Sequence, residues 1–317
     1  MLRVSVIVAV YNGAATVRRA IASVLEQKFD GLEVLVVDDG STDPTAEVLQ
    51  SWGTHIRVVR QKNRGPSVAR NVAARLAQGA YLAFLDADDV WLPDKLSKVV
   101  SALDSAPDAV LAYSNFKPVD DYGREVPETF FTADCDHAPS MEELLSRWWP
   151  ITTSTVVMRR ATFERCGGFS EQFRSAGYED PYLWLLAREQ GKFVFVNEPL
   201  VLYRTEPVVE RMEKYKPGCA TFVRLVRQRY GAAGATLNRE IVHAQVTSLG
   251  YKGLLAMRRG DVRFARRAFL LALRYEPLHL RHALRFLRTY LPPGAARALT
   301  GRTRMESGSA EDDSRAC

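Results

Sequence analysis

The chain predicts an α/β fold with a mostly parallel central sheet over its first two-thirds and an α-helical region behind it. Three observations predict this. Short apolar, β-branched runs alternate with stretches of helical periodicity across short connections, the pattern of strand–helix units in a parallel sheet. Acidic residues gather where these runs end, not inside them. From about residue 206 strand-like runs vanish and Arg-rich helical sequence takes over.

The elements follow in order. Leu2 to Val10 is the continuous apolar run of a strand buried on both faces, broken by Tyr11-Asn12-Gly13. Val17, Ile21, Val24 and Leu25 then recur at helical spacing. A second strand, Glu33–Val37, ends in Asp38-Asp39-Gly40-Ser41, and Asp43-Pro44 is a helix start signal. Ile56–Val59 reads as a third strand. Asn63-Arg64-Gly65-Pro66 turns the chain into a helix with Val68, Val72 and Leu76 on one face. Ala80–Leu85 is the next strand, and it stops in Asp86-Ala87-Asp88-Asp89. Three carboxylates within four residues cannot lie inside a buried strand, so they belong at its C-terminal tip. In an open α/β sheet that tip is where ligands bind. Right-handed crossovers bring Tyr11-Asn12, Asp38-Asp39 and Asp86–Asp89 to one crevice. Crowded carboxylates repel, and a divalent cation relieves the repulsion.

Further along, Leu96, Val99, Val100 and Leu103 give a helix, and Ala109–Tyr113 a short strand. Residues 114–140, with Phe130-Phe131, read as an irregular binding loop. Trp148-Trp149 suits either a sugar-stacking or a core position. Ser154–Met158 is expected as a strand, Tyr182–Ala187 as a helix, and Lys192–Val196 with Leu200–Tyr203 as two short strands.

Composition bounds the alternatives. At 317 residues with 47% apolar content, the chain can bury a full core. No run reaches the roughly 18 apolar residues of a membrane span. The N-terminus enters a strand without a small-residue cleavage site, so no signal peptide is expected. Cys135, Cys166, Cys219 and Cys317 lack metal-ligand spacing and suit reduced thiols in the cytoplasm. The net charge of +6 divides into −5 over residues 1–205 and +11 over residues 206–317. Arg263, Arg266, Arg267 and Arg274 concentrate that basic charge, while Ala265, Ala268 and Ala272 allow close helix packing. Such helices suit an anionic membrane surface, a solvated face or a contact between two copies of the chain. No nucleic-acid-binding motif is visible in them.

Two nucleotide or phosphate chemistries place acids at strand tips. A dinucleotide fold needs Gly-x-Gly-x-x-Gly after its first strand, and Tyr11–Thr16 holds one glycine. A haloacid-dehalogenase-like phosphatase ends a strand in Asp-x-Asp, but that strand normally opens the fold. A third pattern fits five segments in order: Val4–Asn12, Val36–Asp43, Asn63–Asn71, Phe84–Asp89, and Gly167-Gly168-Phe169 with Glu179–Trp184. On these segments the chain resembles a family 2 glycosyltransferase of the GT-A fold.

The resemblance implies a nucleotide-diphospho-sugar donor, a UDP-sugar first, and a glycan or lipid-linked glycan acceptor. It implies residues 1–205 as the GT-A domain, with 1–113 the nucleotide-sugar half and 114–205 the acceptor half. Residues 206–300 follow as a basic helical region and 301–317 as a disordered tail. Val10, Tyr11, Asn12, Asp39, Arg70, Asp86 and Ala87 are implied for nucleotide-sugar binding, with Asp39 on the base and Tyr11 stacked beside it. Asp88, with Asp86, is implied for Mn2+ or Mg2+, and Asp89 for either a supporting or a turn-capping position. Arg70 either meets phosphate or pairs with an acid. Asp180 is the implied general base of an inverting transfer, with Glu179 as its fallback, and Asp180-Pro181 also fits a helix cap. The absence of Gln-x-x-Arg-Trp and of membrane spans argues for a non-processive enzyme, cytoplasmic or peripheral on the inner membrane face. A catalytically degenerate nucleotide-binding protein is the rival reading.

Overall fold

The computed structural model describes residues 2–126, 137–146, 149–173, 177–205, 208–258, 260–275 and 280–290. Phe130-Phe131, Trp148 and the 301–317 tail lie outside the described residues.

Three strand–helix units open the fold: β1 (Val4–Val10), α1 (Val17–Leu25), β2 (Leu32–Asp38), α2 (Thr45–Gln50), β3 (Arg57–Arg60) and α3 (Pro66–Leu76). Then come β4 (Tyr81–Asp86), β5 (Val90–Trp91), α4 (Lys95–Asp104), β6 (Ala109–Val119) and α5 (Met141–Ser146). A 3₁₀ turn, Thr153–Thr155, leads into β7 (Val156–Arg159), α6 (Arg160–Arg165), α7 (Glu179–Gln190) and β8 (Lys192–Arg204). The helices α8 (Val208–Arg258), α9 (Val262–Tyr275) and α10 (Leu280–Arg288) follow.

The strands form one mixed, mostly parallel sheet in the order β3-β2-β1-β4-β7-β6-β8-β5. β1, β2, β3 and β4 run parallel, and β7 enters antiparallel between β4 and β6. Successive side chains point to opposite faces, and both faces are covered. On one side Ile7, Leu35, Leu82 and Phe84 pack against Ala69 and Ala73 of α3 and Leu183 and Trp184 of α7. On the other, Val6, Val8, Val36 and Leu85 meet Ile21 and Val24 of α1 and Leu96, Val99 and Leu103 of α4. Burial on both faces is why these strands read as unbroken apolar runs.

The second half departs from the sequence pattern in three places. The strand at Ala109 runs on to Val119, and the two short strands expected between Lys192 and Tyr203 are one strand, β8. Each supports the other in parallel pairing, with register shifts around Asn115 that absorb the irregular sequence. The strand expected from Ser154 starts at Val156, because Thr155 donates both its amide and its hydroxyl to the Thr152 carbonyl and closes a turn. Trp149 is a core residue, 5% exposed.

Ala265, Ala268 and Ala272 of α9 are fully buried, and Ala268 and Ala272 pack with Val246 and Leu249 of α8. Arg266 donates to the Thr289 carbonyl at 2.8 Å and lies over the Tyr290 ring, tying α9 to the end of α10. It therefore leaves the exposed basic set, in which Arg263, Arg267 and Arg274 remain. Among the described residues no helix is long and apolar enough to cross a membrane.

Candidate active site

Register decides which residues meet. Val10 pairs with Asp38 and Ala9 with Asp86, so β1, β2 and β4 end together at one edge of the sheet. Asn12, in the left-handed region at φ 51, donates its amide to Ser41 Oγ and accepts from the Thr42 amide, joining the two strand exits. Tyr11 stands beside it, 51% exposed, while Val10 is buried and its carbonyl accepts the Asp39 amide. Asp38 is 1% exposed, accepts the Ser41 amide and lies 3.3 Å from Arg60 Nε.

Asp39 does structural work that its sequence context does not show. Its Oδ1 accepts from Gln61 Nε2 and the Arg64 amide, and its Oδ2 from the Gly65 amide. Three of roughly four acceptor positions on the carboxylate are thus filled by the loop that leads into α3. Gly40 makes this approach possible. It sits at φ +78, and a Cβ there would lie 2.8 Å from the Asn63 amide nitrogen.

α3 carries Arg70 under the strand tips. Its guanidinium donates to Glu179 Oε1 at 2.8 Å and to Asp86 Oδ1 at 2.6 Å, and it lies 5.2 Å from the Phe169 ring centroid. Burial pulls its pKa down, but the charges of Asp86 and Glu179 outweigh that and the net shift is upward. The next residue, Asn71, accepts from the Phe169 amide and donates to the Phe169 carbonyl. Gly168, at φ +74, lets Asn71 Oδ1 approach within 2.6 Å of where a Cβ would stand. The Gly-Gly-Phe segment is thereby fastened to α3, with Phe169 beneath the arginine.

The three acids at the β4 tip are sorted by depth. Asp89 is 1% exposed and accepts from Ser154 Oγ and the Arg204 amide. It is a fully engaged tie between the β4 tip, the 3₁₀ turn and the end of β8. Ala87 precedes the pair, packed against the apolar cluster below. Asp86 has a 30% exposed side chain, and its amide donates to Ser154 Oγ. Asp88 is 35% exposed, with Oδ2 3.0 Å from Arg204 Nη1. Burial first, then the charges of Asp88 and Asp86, push the Asp89 carboxyl well above its ordinary value. Burial and Asp86 push Asp88 up as well, while Arg204 pulls it down.

Asp180 is not the cap of α7. The helix starts at Glu179 after Tyr178 in the left-handed region at φ 71, which places Asp180 second and Pro181 third. Its carboxyl, half-buried, accepts from Thr153 Oγ1 at 3.3 Å. Burial and the neighbouring charge of Glu179 raise its pKa well above the ordinary 3.8, against the pull of Arg70. Glu179 is different: 3% exposed, with Oε1 held by Arg70.

The tip offers hard oxygen ligands. Among the described residues no three or more His, Cys, Asp or Glu side chains converge as a metal cage. Mg2+-type ions are commonly held by one or two carboxylates and completed by substrate phosphates, so an exposed Asp88 with Asp86 behind it suits such an ion.

Ser154, Thr153 and Arg204 enter the site without any strand-tip signal. The Thr152–Thr155 run of hydroxyls hints at turn chemistry, whereas Arg204 is a lone charge at the end of a strand whose position depends on pairing across the sheet.

Comparison with known proteins places this geometry. The model of Glycosyl transferase family 2 matches residues 5–167, and the chain belongs to that family; the protein is a glycosyltransferase. An uncharacterized glycosyltransferase of Rickettsia prowazekii is 28% identical over 226 residues, covering 67% of this chain and 69% of the relative. The Escherichia coli UDP-Glc:alpha-D-GlcNAc-diphosphoundecaprenol beta-1,3-glucosyltransferase WfaP is 29% identical over 192 residues, 59% of this chain and 71% of WfaP. Among solved structures, the Pyrobaculum calidifontis mannosyltransferase PcManGT with GDP-Man and Mn2+ superimposes with a TM-score of 0.58 at 24% identity, over 94% of this chain and 80% of that one. Staphylococcus aureus TarS residues 1–349 with UDP gives 0.57 at 20% identity, over 94% and 83%. The fold is of the GT-A type.

Two outcomes are expected. Arg70→Ala leaves Glu179 buried without its cation and lowers the unfolding free energy by about 3–5 kcal/mol in urea titration. Asp89, with a raised folded pKa, contributes stability that is complete below the ordinary 3.8 and is lost as pH rises through the raised value. Asp89→Asn, neutral throughout, therefore shows a flatter melting temperature between about pH 4 and pH 8 than the parent protein.

Proposed function

We propose that the protein is an inverting, metal-dependent, non-processive glycosyltransferase that moves one sugar from a nucleotide-diphospho-sugar to a hydroxyl of a glycan or lipid-linked glycan. The observation that carries this is the Arg70 bridge, with Asp86 of the β4 tip on one side and Glu179, next to Asp180, on the other. It supports reading Asp86 as the donor-facing acid and Asp180, beside Glu179, as the base.

Tyr11, Asn12 and the remaining acceptor position of Asp39 receive the nucleoside, and Asp86 the ribose. Asp88, with Asp86, would hold Mn2+ or Mg2+, whose chemistry is to neutralise the departing diphosphate. Asp180 accepts the acceptor's hydroxyl proton as that oxygen attacks the anomeric carbon from the face opposite the diphosphate. The bond from carbon to the phosphate oxygen breaks, its electron pair leaves with the nucleoside diphosphate, and the anomeric configuration inverts. A carboxylate whose pKa is raised by burial is a stronger base than one in water, and it must be ionised to act. Glu179 keeps its position through Arg70 and is not the base in this reading.

A UDP-sugar donor and a lipid-linked acceptor are supported by WfaP, whose name specifies both, and a UDP donor by the UDP bound to TarS. The basic helical hairpin supports a place on an anionic membrane surface. Leu284, Leu287 and Tyr290 of its last segment are 53%, 60% and 59% exposed, and Arg263, Arg267 and Arg274 of α9 are exposed as well. Apolar side chains beside basic ones suit the boundary of an anionic bilayer.

Incubation with candidate nucleotide sugars and Mn2+ is expected to give slow donor hydrolysis that chelator and Asp88→Asn both abolish. Hydrolysis indifferent to both removes the metal-assisted mechanism. Asp180→Asn is expected to lose about 10²–10⁴-fold in transfer to acceptor, with kcat/KM of the parent rising through a pKa above the ordinary 3.8. For the membrane surface, co-sedimentation with anionic phospholipid vesicles at low salt, lost at high salt and in Leu284→Glu/Leu287→Glu, is the expected result. Failure to sediment with those vesicles at low salt rejects it.

A further inference from the structure

Arg204 ties this edge together from outside the strand-tip pattern. Its backbone amide donates to Asp89 Oδ1 at 2.8 Å, which fixes where the residue stands. Its guanidinium is shared: Nη1 to Asp88 Oδ2 at 3.0 Å and Nε to Asp121 Oδ1 at 2.7 Å. The two arginines of the site are built differently. Arg70 is 8% exposed and locked between two carboxylates, whereas the Arg204 side chain is 30% exposed and its partners Asp88 and Asp121 are 35% and 66% exposed. These pairs are more open to water than those of Arg70 and are screened more strongly.

We propose that Arg204 is a stand-in cation for the donor site: it occupies Asp88 before the nucleotide sugar arrives, and releases that carboxylate to turn its guanidinium onto the donor's diphosphate. The inference rests on the reading of Asp88 as a metal ligand. A guanidinium and a divalent cation on one carboxylate repel each other, and an Arg204 displaced from Asp88 has Asp121 to keep it at the edge of the site. A diphosphate supplies the oxygens that its planar fork suits best. Each ligand then removes an obstacle to the other, since the diphosphate draws Arg204 away from Asp88. Metal and nucleotide therefore bind cooperatively, and by linkage the coupling acts equally in both directions.

Arg204 is a donor-binding residue in this scheme, and its test reads binding in the absence of turnover. Free Mn2+ is followed by electron paramagnetic resonance as it is titrated with the full chain, alone and with saturating UDP, for the parent protein, Arg204→Gln and Arg204→Lys. Arg204→Gln is expected to bind Mn2+ alone about three- to fivefold more tightly than the parent, because the competing charge is gone. The same variant is expected to bind UDP in the presence of Mn2+ about tenfold more weakly, and to lose most of the enhancement that UDP gives Mn2+. Arg204→Lys keeps a cation and is expected to fall between the two. A merely structural role predicts weaker Mn2+ binding in Arg204→Gln, the opposite sign. Equal or weaker Mn2+ binding by Arg204→Gln, with the parent binding Mn2+ normally, overturns the inference and leaves the metal reading intact. Absence of Mn2+ binding by all three proteins, even with UDP, overturns both.

Discussion

One guanidinium under the sheet edge makes the rest of the site tolerable. Asp86, Asp88, Asp89, Glu179 and Asp180 all lie at the meeting of β4, α7 and the 3₁₀ turn, and unpaired carboxylates at that depth repel and neutralise themselves by taking up protons. Arg70 bridges Asp86 and Glu179 from below, resting on Phe169. That position is itself prepared by Asn71, whose paired hydrogen bonds hold the Phe169 backbone against α3. The interaction ties the strand–helix half of the fold, through α3, to α7 of the second half. Burial removes the screening that makes surface pairs weak, so separating these partners is costly.

Depth then divides the remaining acids. Asp89, fully buried, is consumed by Ser154 and the Arg204 amide and acts as a structural tie. Asp39 is spent largely on the loop before α3. Asp88 is the one member of the tip whose only described partner is a partly exposed side chain, Arg204. A carboxylate whose counter-ion is a partly exposed side chain is more open to a ligand than one fully engaged, as Asp89 is. Identical residue types at adjacent positions, Asp88 and Asp89, thus serve opposite purposes, and the nature of their partners separates them.

The helical hairpin behind the sheet follows the same logic on a larger scale. Small residues on α9 bury one face against α8, and Arg266 closes the hairpin on Thr289 and Tyr290. Leu284 and Leu287 of α10 stay exposed, as do Arg263, Arg267 and Arg274 of α9.

The sequence by itself determined the strand-tip edge. Apolar runs that stop in Asn12, Asp38-Asp39 and Asp86–Asp89, joined by helices, leave a parallel sheet with those ends on one side, because a crossover connection has one favoured hand. The five segments also carried the family. Only the tertiary structure decided which acid each cation serves. Asp88 and Arg204 are 116 residues apart, and Arg70 and Glu179 109. Nothing local records such pairings: they depend on β7 entering antiparallel beside β4, on β8 running unbroken beside β6, and on the register shifts that bring Arg204 to the tip. The same holds for Asp180, whose Asp-Pro context reads as a helix cap. Tyr178 in the left-handed region starts α7 one residue earlier, and Asp180 therefore lies within the first turn beside Thr153. Local sequence sets where a strand or helix can end; long-range packing sets what stands opposite when it does.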